Sequence, residues 1–278
     1  MQAIFNHPKT NKENEMSRIM TSFHVTEEKP ARLAVLIDAD NASARDIEAI
    51  LEEVVKFGDA TVKRIYGNFV GQNGQWKQVI NDFAIKPMQQ FAFATGKNST
   101  DGFMMIDAMD LLYGNRLDGF CIVSSDSDFT ALAIRLKEQG MPVYGFGKKQ
   151  TPKSFVNACT QFIYVENLLP DELIENIGEN LSARPDAPLQ TAQAAADQQT
   201  ASLPRDTIRK IFEQFDSDWV AISALGSTWR RLHADFDPRS YGCKNFTALV
   251  KKHPEIFEYK MRAENENAQE HMYVKLKD

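Results

Sequence analysis

Strand-like and helix-like segments alternate along residues 32–168, and this alternation restricts the chain to a small set of folds. Continuous apolar runs such as LAVLI at 33–37 and FCIV at 120–123 are typical of strands buried on both faces. Short links separate these runs from stretches with helical spacing. We therefore predict an α/β fold, a doubly wound parallel sheet with helices on both faces.

The predicted elements follow one another with few interruptions. The predicted strands cover residues 33–41, 61–67, 88–95, 119–125, 142–147 and 162–168. The predicted helices cover residues 43–58, 76–84, 100–113, 129–139 and 153–159, and a further helical pattern covers 171–181.

Composition divides the chain into four parts. Residues 1–30 are expected to be a disordered tail, and residues 31–181 hold the α/β pattern. Residues 182–202 are rich in Ala, Gln and Pro and are predicted to be a linker. Residues 203–278 are long enough for a small second domain.

Charge, cysteine content and hydropathy exclude several classes of protein. The net charge of −6 gives no basic excess over the whole chain, so a nucleic-acid partner would need a local basic patch. Cys121, Cys159 and Cys243 lie far apart without metal-ligand spacing, which favours reduced thiols in a cytoplasmic protein. No apolar run approaches the roughly 20 residues of a membrane span, so we expect no membrane partner.

Carboxylates follow two of the predicted strands directly. The first strand ends at Asp38, and the fourth is followed by Asp126 and Asp128. Ligands bind a doubly wound sheet at the carboxyl ends of the strands, where the strand order reverses. If the reversal falls between these two strands, the three carboxylates meet in one crevice, and Asp101 at the start of the third helix lies over it.

Clustered carboxylates repel one another unless a cation neutralises them. Hard oxygen ligands without His or Cys favour Mg²⁺ or Mn²⁺. We expect Asp38, Asp126 and Asp128 to bind the metal and Asp101 to complete the catalytic set. Asn41 and Ser125 are candidates for hydrogen-bond donors to these carboxylates.

Each of these acids also has a structural interpretation. Asp126 follows a strand and precedes a helix, which is typical of a helix N-cap. Asp101 lies in a first helical turn, where an acid suits the helix dipole. Capping or solvated positions are favoured for the remaining acids near the site, which are Asp40, Asp107, Asp110 and Asp118.

The N-terminal motifs resemble those of NYN domains, which are PIN-like nucleases related to LabA-like proteins. The similar blocks, in order, are LAVLIDADN (33–41), KNSTDGFMMIDAMDLL (97–112), FCIVSSDSDFTAL (120–132) and the segment 143–168. The resemblance implies a PIN-like fold and metal-dependent cleavage of RNA. The residues that would correspond to the metal-binding and catalytic acids of the family are Asp38, Asp101, Asp126 and Asp128.

The C-terminal region resembles a LOTUS (OST-HTH) domain, notably in FDPRSYGCKNFTALVKKHPEIFEY at 236–259. Three helical patterns and two short alternating stretches favour a winged-helix-like fold there. We expect RNA or a protein partner to dock on this region. The candidate RNA-binding residues of the chain are Lys148, Lys149 and Lys153 at the rim of the crevice, and Arg239, Lys244, Lys251 and Lys252 near the third C-terminal helix.

Three functions are compatible with these patterns. The first is a hydrolase, a Mg²⁺- or Mn²⁺-dependent endoribonuclease with a C-terminal RNA- or partner-binding module. The second is a non-catalytic RNA-binding or regulatory adaptor that retains the acidic pocket. The third, a phosphohydrolase of the haloacid-dehalogenase type, is disfavoured because Asn41 and Ala42 follow the first Asp-x-Asp where that family usually has Thr or Val. The RNA target and the oligomeric state do not follow from the sequence.

Overall fold

Six parallel strands form the central sheet of the protein. The computed structural model describes residues 29–69, 74–89, 99–168, 203–262 and 270–277. The strands lie in the order β3-β2-β1-β4-β5-β6. Their bounds are β1 Arg32–Asp38, β2 Asp59–Gly67, β3 Lys86–Gln89, β4 Gly119–Val123, β5 Val143–Gly147 and β6 Gln161–Tyr164.

The helices of this part of the chain connect successive strands. They are α1 Ile47–Val54, α2 Gly74–Asp82, α3 Ser99–Tyr113, α4 Thr130–Glu138 and α5 Lys153–Ala158. The fold class predicted from the strand–helix alternation is confirmed. The predicted strand ends differ slightly: β1 ends at Asp38 and β4 at Val123, so the polar residues that follow them form loops.

The two central strands alternate between two hydrophobic cores. Leu33, Val35 and Ile37 of β1 pack on one side of the sheet, and Ala34 and Leu36 pack on the other. A strand with helices on both faces buries every side chain, which is why its sequence is continuously apolar. The apolar runs thus mark β1 and β4 as the centre of the sheet.

Gly147 allows the ends of two strands to approach closely. A Cβ atom at this position would lie 2.6 Å from the carbonyl oxygen of Ser124, too close for any side chain. The end of β5 therefore packs directly against the residue that follows β4. This contact fixes the loop after β5 beside the polar residues after β4.

The C-terminal region has a core of its own. Its helices are α6 Arg205–Phe212, α7 Ile222–Leu232 and α8 Phe246–Lys252. A three-stranded antiparallel sheet combines β7 Val220–Ala221, β8 Phe257–Arg262 and β9 His271–Leu276 in the order β7-β9-β8. Trp229 stacks on Phe236 with ring centroids 4.1 Å apart at the centre of this core. The predicted small winged-helix-like domain is therefore confirmed.

Several predictions concern residues outside the described ranges. These are the tail before residue 29, the end of the third predicted strand, the helical pattern at 171–181 and the linker at 182–202. Within the described ranges, no helix combines the length and apolar character needed to cross a lipid bilayer.

Candidate metal centre

The strand order reverses between β1 and β4, and this reversal creates the site. The strands β2 and β3 lie on one side of β1, whereas β5 and β6 lie beyond β4. Ile37 of β1 pairs with Val123 of β4, so Asp38, the last residue of β1, lies level with Ser124, the first residue after β4. The loops after both strands therefore open into one crevice.

Asp38 is fully buried, and hydrogen bonds hold its carboxylate in place. Asn41 Nδ2 donates to Asp38 Oδ2 over 2.8 Å, and Ser124 Oγ donates to the same oxygen over 2.7 Å. The backbone N–H of Asp40 donates to Oδ1 over 3.1 Å. A buried carboxylate requires such donors, and these three fix its orientation at the base of the crevice.

Ser124 links the two strand ends. Its side chain is buried, and its Oγ also accepts a hydrogen bond from the backbone N–H of Asp126 over 3.0 Å. Asp126 in turn accepts from the backbone N–H of Asp128 over 2.9 Å and caps the short 3₁₀ helix Ser127–Phe129. A chain of hydrogen bonds thus runs from Asp38 to Asp128.

Asp101 reaches the crevice from the first turn of α3. The helix is anchored to β2 by the buried Asp107, which accepts hydrogen bonds from Arg64 and Tyr66. A solvated or capping role for Asp107, favoured by the sequence, is therefore wrong. Its position six residues after Asp101 makes it a structural anchor for the helix that carries Asp101.

Three carboxylates converge at the mouth of the crevice. One oxygen each from Asp101, Asp126 and Asp128 lie within 4.8 Å of one another. Opposite ligands of one Mg²⁺ are about 4 Å apart, so this spacing is close to that of a single coordination shell. Asp101 and Asp126 are half-buried and Asp128 is exposed, so the group faces solvent on one side.

The proton affinity of Asp101 reflects this crowding of negative charge. Partial burial, followed by the charges of Asp38, Asp126, Asp128 and Asp40, raises the pKa of Asp101 to about 6. Burial and then the charge of Asp38 raise the pKa of Asp40 as well. Like charges at these distances favour a divalent cation with oxygen ligands, and the residues present fit Mg²⁺ or Mn²⁺.

The site differs in two ways from the arrangement expected from sequence. The closest group contains Asp101, which was expected in the catalytic set only, and metal binding by the hydrogen-bonded Asp38 stays a prediction. Asn41 donates to Asp38, but Ser125 Oγ instead accepts from the backbone N–H of Lys148 over 2.9 Å. Sequence reasoning missed Ser124, whose place as the first residue after a buried strand was the available signal.

The predicted lysine rim lies in the loop after β5 and at the start of α5. Lys148 and Lys149 are exposed, and their backbone N–H groups donate to Ser125 Oγ and to Glu166. Lys153 Nζ instead lies 2.6 Å from Asp235 in the C-terminal region. A contact between these lysines and RNA stays a prediction.

The predicted C-terminal cations have different surroundings. Arg239 donates to Glu53 on α1 and to Asp237, and Lys252 Nζ donates to the carbonyl oxygen of Tyr241. Lys251 Nζ lies 6.0 Å from the ring centre of Tyr259, and Lys244 is exposed. Of these four residues, Arg239 is thus already bound to carboxylates, and a role in RNA contact stays a prediction for all four.

Comparison with known families identifies two domains. Residues 32–169 match the NYN domain, and residues 200–267 match the OST-HTH/LOTUS domain.

Individual proteins of three organisms are similar to parts of the chain. An uncharacterized protein of Methanocaldococcus jannaschii is 29% identical over 120 residues, which are 42% of this chain and 47% of that protein. The chain thus matches about half the length of this curated relative. A crystal structure of a protein of unknown function from Vibrio parahaemolyticus has a TM-score of 0.43 at 15% identity, covering 52% of this chain and 96% of that one. The solution structure of an uncharacterized protein from Nitrosomonas europaea has a TM-score of 0.27 at 28% identity, covering 34% of this chain and 90% of that one.

Proposed function

We propose that this chain, which carries an NYN domain at residues 32–169 and an OST-HTH/LOTUS domain at residues 200–267, is a metal-dependent endoribonuclease. The convergence of Asp101, Asp126 and Asp128 at the strand-order reversal carries the proposal. The PIN-like NYN fold supports it independently of that geometry. The substrate is RNA, and the reaction is hydrolysis of a phosphodiester bond.

The residues that would hold Mg²⁺ or Mn²⁺ are Asp38 at the base of the crevice and Asp101, Asp126 and Asp128 at its mouth. When bound, the cation would stabilise negative charge on the phosphate and activate the attacking water. The hydrogen bonds from Ser124 to Asp38 and from Asp126 N–H to Ser124 keep the carboxylates on both strands in a fixed relative position. Such preorganisation is what a metal site requires of the residues around its ligands.

Lys148 and Lys149 supply positive charge beside the acidic crevice. Both side chains are exposed, and the bond from Lys148 N–H to Ser125 Oγ keeps their loop next to the residues that follow β4. An RNA strand must bring its phosphates toward a cluster of carboxylates. Lysines at the rim lower the electrostatic cost of that approach.

Incubation of the purified protein with single-stranded RNA tests the proposal. We expect cleavage with Mg²⁺ or Mn²⁺ and none in excess EDTA. Cleavage that persists in EDTA, or hydrolysis of small phosphomonoesters alone, would exclude a metal-dependent ribonuclease. RNA binding without cleavage in any divalent metal would instead favour the regulatory adaptor.

A further inference from the structure

Direct contacts hold the C-terminal domain against the NYN domain, and residues 31–278 form a single compact unit. Arg239 makes two hydrogen bonds of 2.9 Å to the carboxylate of Glu53, which is almost completely buried. On the edge strand β6, the backbone N–H of Phe162 donates to the carbonyl oxygen of Ala234 over 2.7 Å. This hydrogen bond holds the segment that follows α7 beside β6.

These contacts leave a groove of about 760 Å³ between the two domains. This volume is within the range of roughly 300–1,000 Å³ that is usual for ligand sites. The NYN domain contributes residues near the starts of β5 and β6 and the end of α4, and the C-terminal domain contributes the end of α7. The lining residues are Phe57, Lys137, Tyr144, Asn157, Cys159, Thr160, Gln161, Ser227, Arg230, Arg231, Leu232, His233 and Ala234.

The groove is positively charged although the whole chain is acidic. Lys137, Arg230 and Arg231 line it, and no Asp or Glu does. All three side chains are exposed. Across the described ranges, from residue 29 to residue 277 with their gaps, the ion pairs involve none of these three cations. Their charge is thus available to a ligand, unlike that of Arg239 or Lys153.

The groove also contains aromatic surface. Phe57 and Tyr144 are partly exposed and stack with ring centroids 4.3 Å apart. Lys137 Nζ donates to the carbonyl oxygen of Cys159 over 3.2 Å, a contact that leaves its positive charge uncompensated. Such cations together with partly exposed aromatic rings are the features that bind single-stranded nucleic acid, because phosphates meet the cations and unstacked bases meet the rings. An acidic protein segment would also meet the cations, and the test below includes it as the alternative occupant.

We propose that this groove binds the backbone of single-stranded RNA, with phosphates at Lys137, Arg230 and Arg231. The choice of RNA rests on the proposed function. The groove lies at the amino ends of β5 and β6, whereas the acidic crevice lies at the carboxyl ends of the parallel strands. A strand of five residues is roughly 17 Å long, so about this distance separates the two ends of the sheet. The groove is therefore a second anchoring site and not part of the crevice.

Salt-dependent RNA binding in EDTA tests the groove without relying on cleavage. The test variant is Arg230→Gln/Arg231→Gln, and the matched control is Arg209→Gln/Lys210→Gln, because both pairs are exposed cations in the last turn of a helix of the same domain. The probe is a single-stranded RNA of about 20 nucleotides, longer than one typical binding module covers. Unfolding temperatures check that both variants remain folded.

Each phosphate contact on a single strand contributes about 0.7 to the slope of log K against log salt concentration. The slope is negative, and we expect its magnitude to be smaller by about 1.4 in the test variant than in the wild type. Binding of the test variant should also be weaker at low salt, and the control should match the wild type. Equal slopes for the two variants, or a wild type that binds only an acidic protein and no RNA, would overturn the proposal. Loss of binding in the test variant alone, in a protein that does not cleave RNA, would support the groove while rejecting the nuclease.

Discussion

Ser124 Oγ donates a 2.7 Å hydrogen bond to Asp38 Oδ2 and joins the ends of the two central strands. The same hydroxyl oxygen accepts from the backbone N–H of Asp126. One serine therefore sets the distance between the carboxylate that ends β1 and the carboxylates that follow β4. This makes Ser124 the supporting residue on which the geometry of the site depends most.

Ser124→Ala should weaken metal binding while leaving the fold intact. Loss of a buried hydrogen-bond donor to a carboxylate costs about 1–3 kcal/mol of stability. Loss of an outer-sphere partner of a metal ligand lowers metal affinity by about 10- to 100-fold. Thermal unfolding and Mn²⁺ titration measure the two effects. Ser125→Ala is the neighbouring control, and an equal loss of metal affinity in that variant would contradict the assignment.

The contribution of Asp101 to the stability of the metal-free protein should fall as the pH rises between about 4 and about 6. The pKa of Asp101 is raised in the folded protein from an ordinary value of 3.8 to about 6, so the folded state binds a proton that the unfolded state has already released. Deprotonation across this window therefore costs folding free energy. Unfolding in EDTA at several pH values should show the stability of the wild type falling relative to that of Asp101→Asn across this window. Identical pH profiles would argue against repulsion at this carboxylate.

Arg239→Gln should destabilise the contact between the two domains. The substitution leaves Glu53, whose side chain is 8% exposed, with Lys56 as its partner. Lost hydrogen bonds to a charged group cost about 1.5–3 kcal/mol. Calorimetry should give a lower unfolding temperature than for Lys244→Gln, which changes an exposed cation in the same domain. Equal temperatures would mean that the Arg239–Glu53 pair adds nothing to stability.

Removal of residues 203–278 should leave residues 32–180 folded but less stable. The C-terminal hydrophobic core consists entirely of residues from the C-terminal domain, and both cores of the NYN domain consist of residues before 169. Circular dichroism should therefore show a cooperative transition at a temperature below that of the full chain. An insoluble fragment without such a transition would mean that the domains depend on each other to fold.

The fold could be predicted because its signals are local. Apolar runs such as residues 33–37 indicate strands buried on both faces. The helical segments between these runs indicate that the strands are parallel. The meeting of Asp38 with the acids after β4 followed from the general rule for strand-order reversal.

Other features of the site depend on details that a sequence does not carry. Ser124 and Ser125 are adjacent, and a shift of one residue at a strand end decides which of the two faces Asp38. The bond between Arg239 and Glu53 joins residues 186 positions apart, and neither residue lies in a local pattern that indicates its partner. No local pattern indicates the anchoring role of Asp107, because its partners, Arg64 and Tyr66, lie on a separate strand.

The central claim is that the acidic cluster is a catalytic metal site, and Asp126→Asn tests it. Asparagine can still accept the capping hydrogen bond from Asp128 N–H. If Asp126 has a structural role alone, Asp126→Asn should therefore lower the free energy of unfolding by at most about 1 kcal/mol. A metal ligand loses its charge in the same substitution, and Asp38→Asn removes the charge on the buried side. Relief of repulsion should keep or raise the unfolding temperature of Asp126→Asn in metal-free buffer, whereas Asp38→Asn places an amide N–H₂ group against buried donors and should lower it.

The decisive measurement is the rate of RNA cleavage with Mn²⁺ for the wild type, Asp126→Asn and Asp118→Asn. Asp118 pairs with Arg32 at the opposite end of the sheet, so its variant controls for the loss of one carboxylate. We expect Asp126→Asn to lose most cleavage while RNA binding persists, and Asp118→Asn to cleave like the wild type. Unchanged cleavage by Asp126→Asn, or an equal loss in Asp118→Asn, would contradict the account.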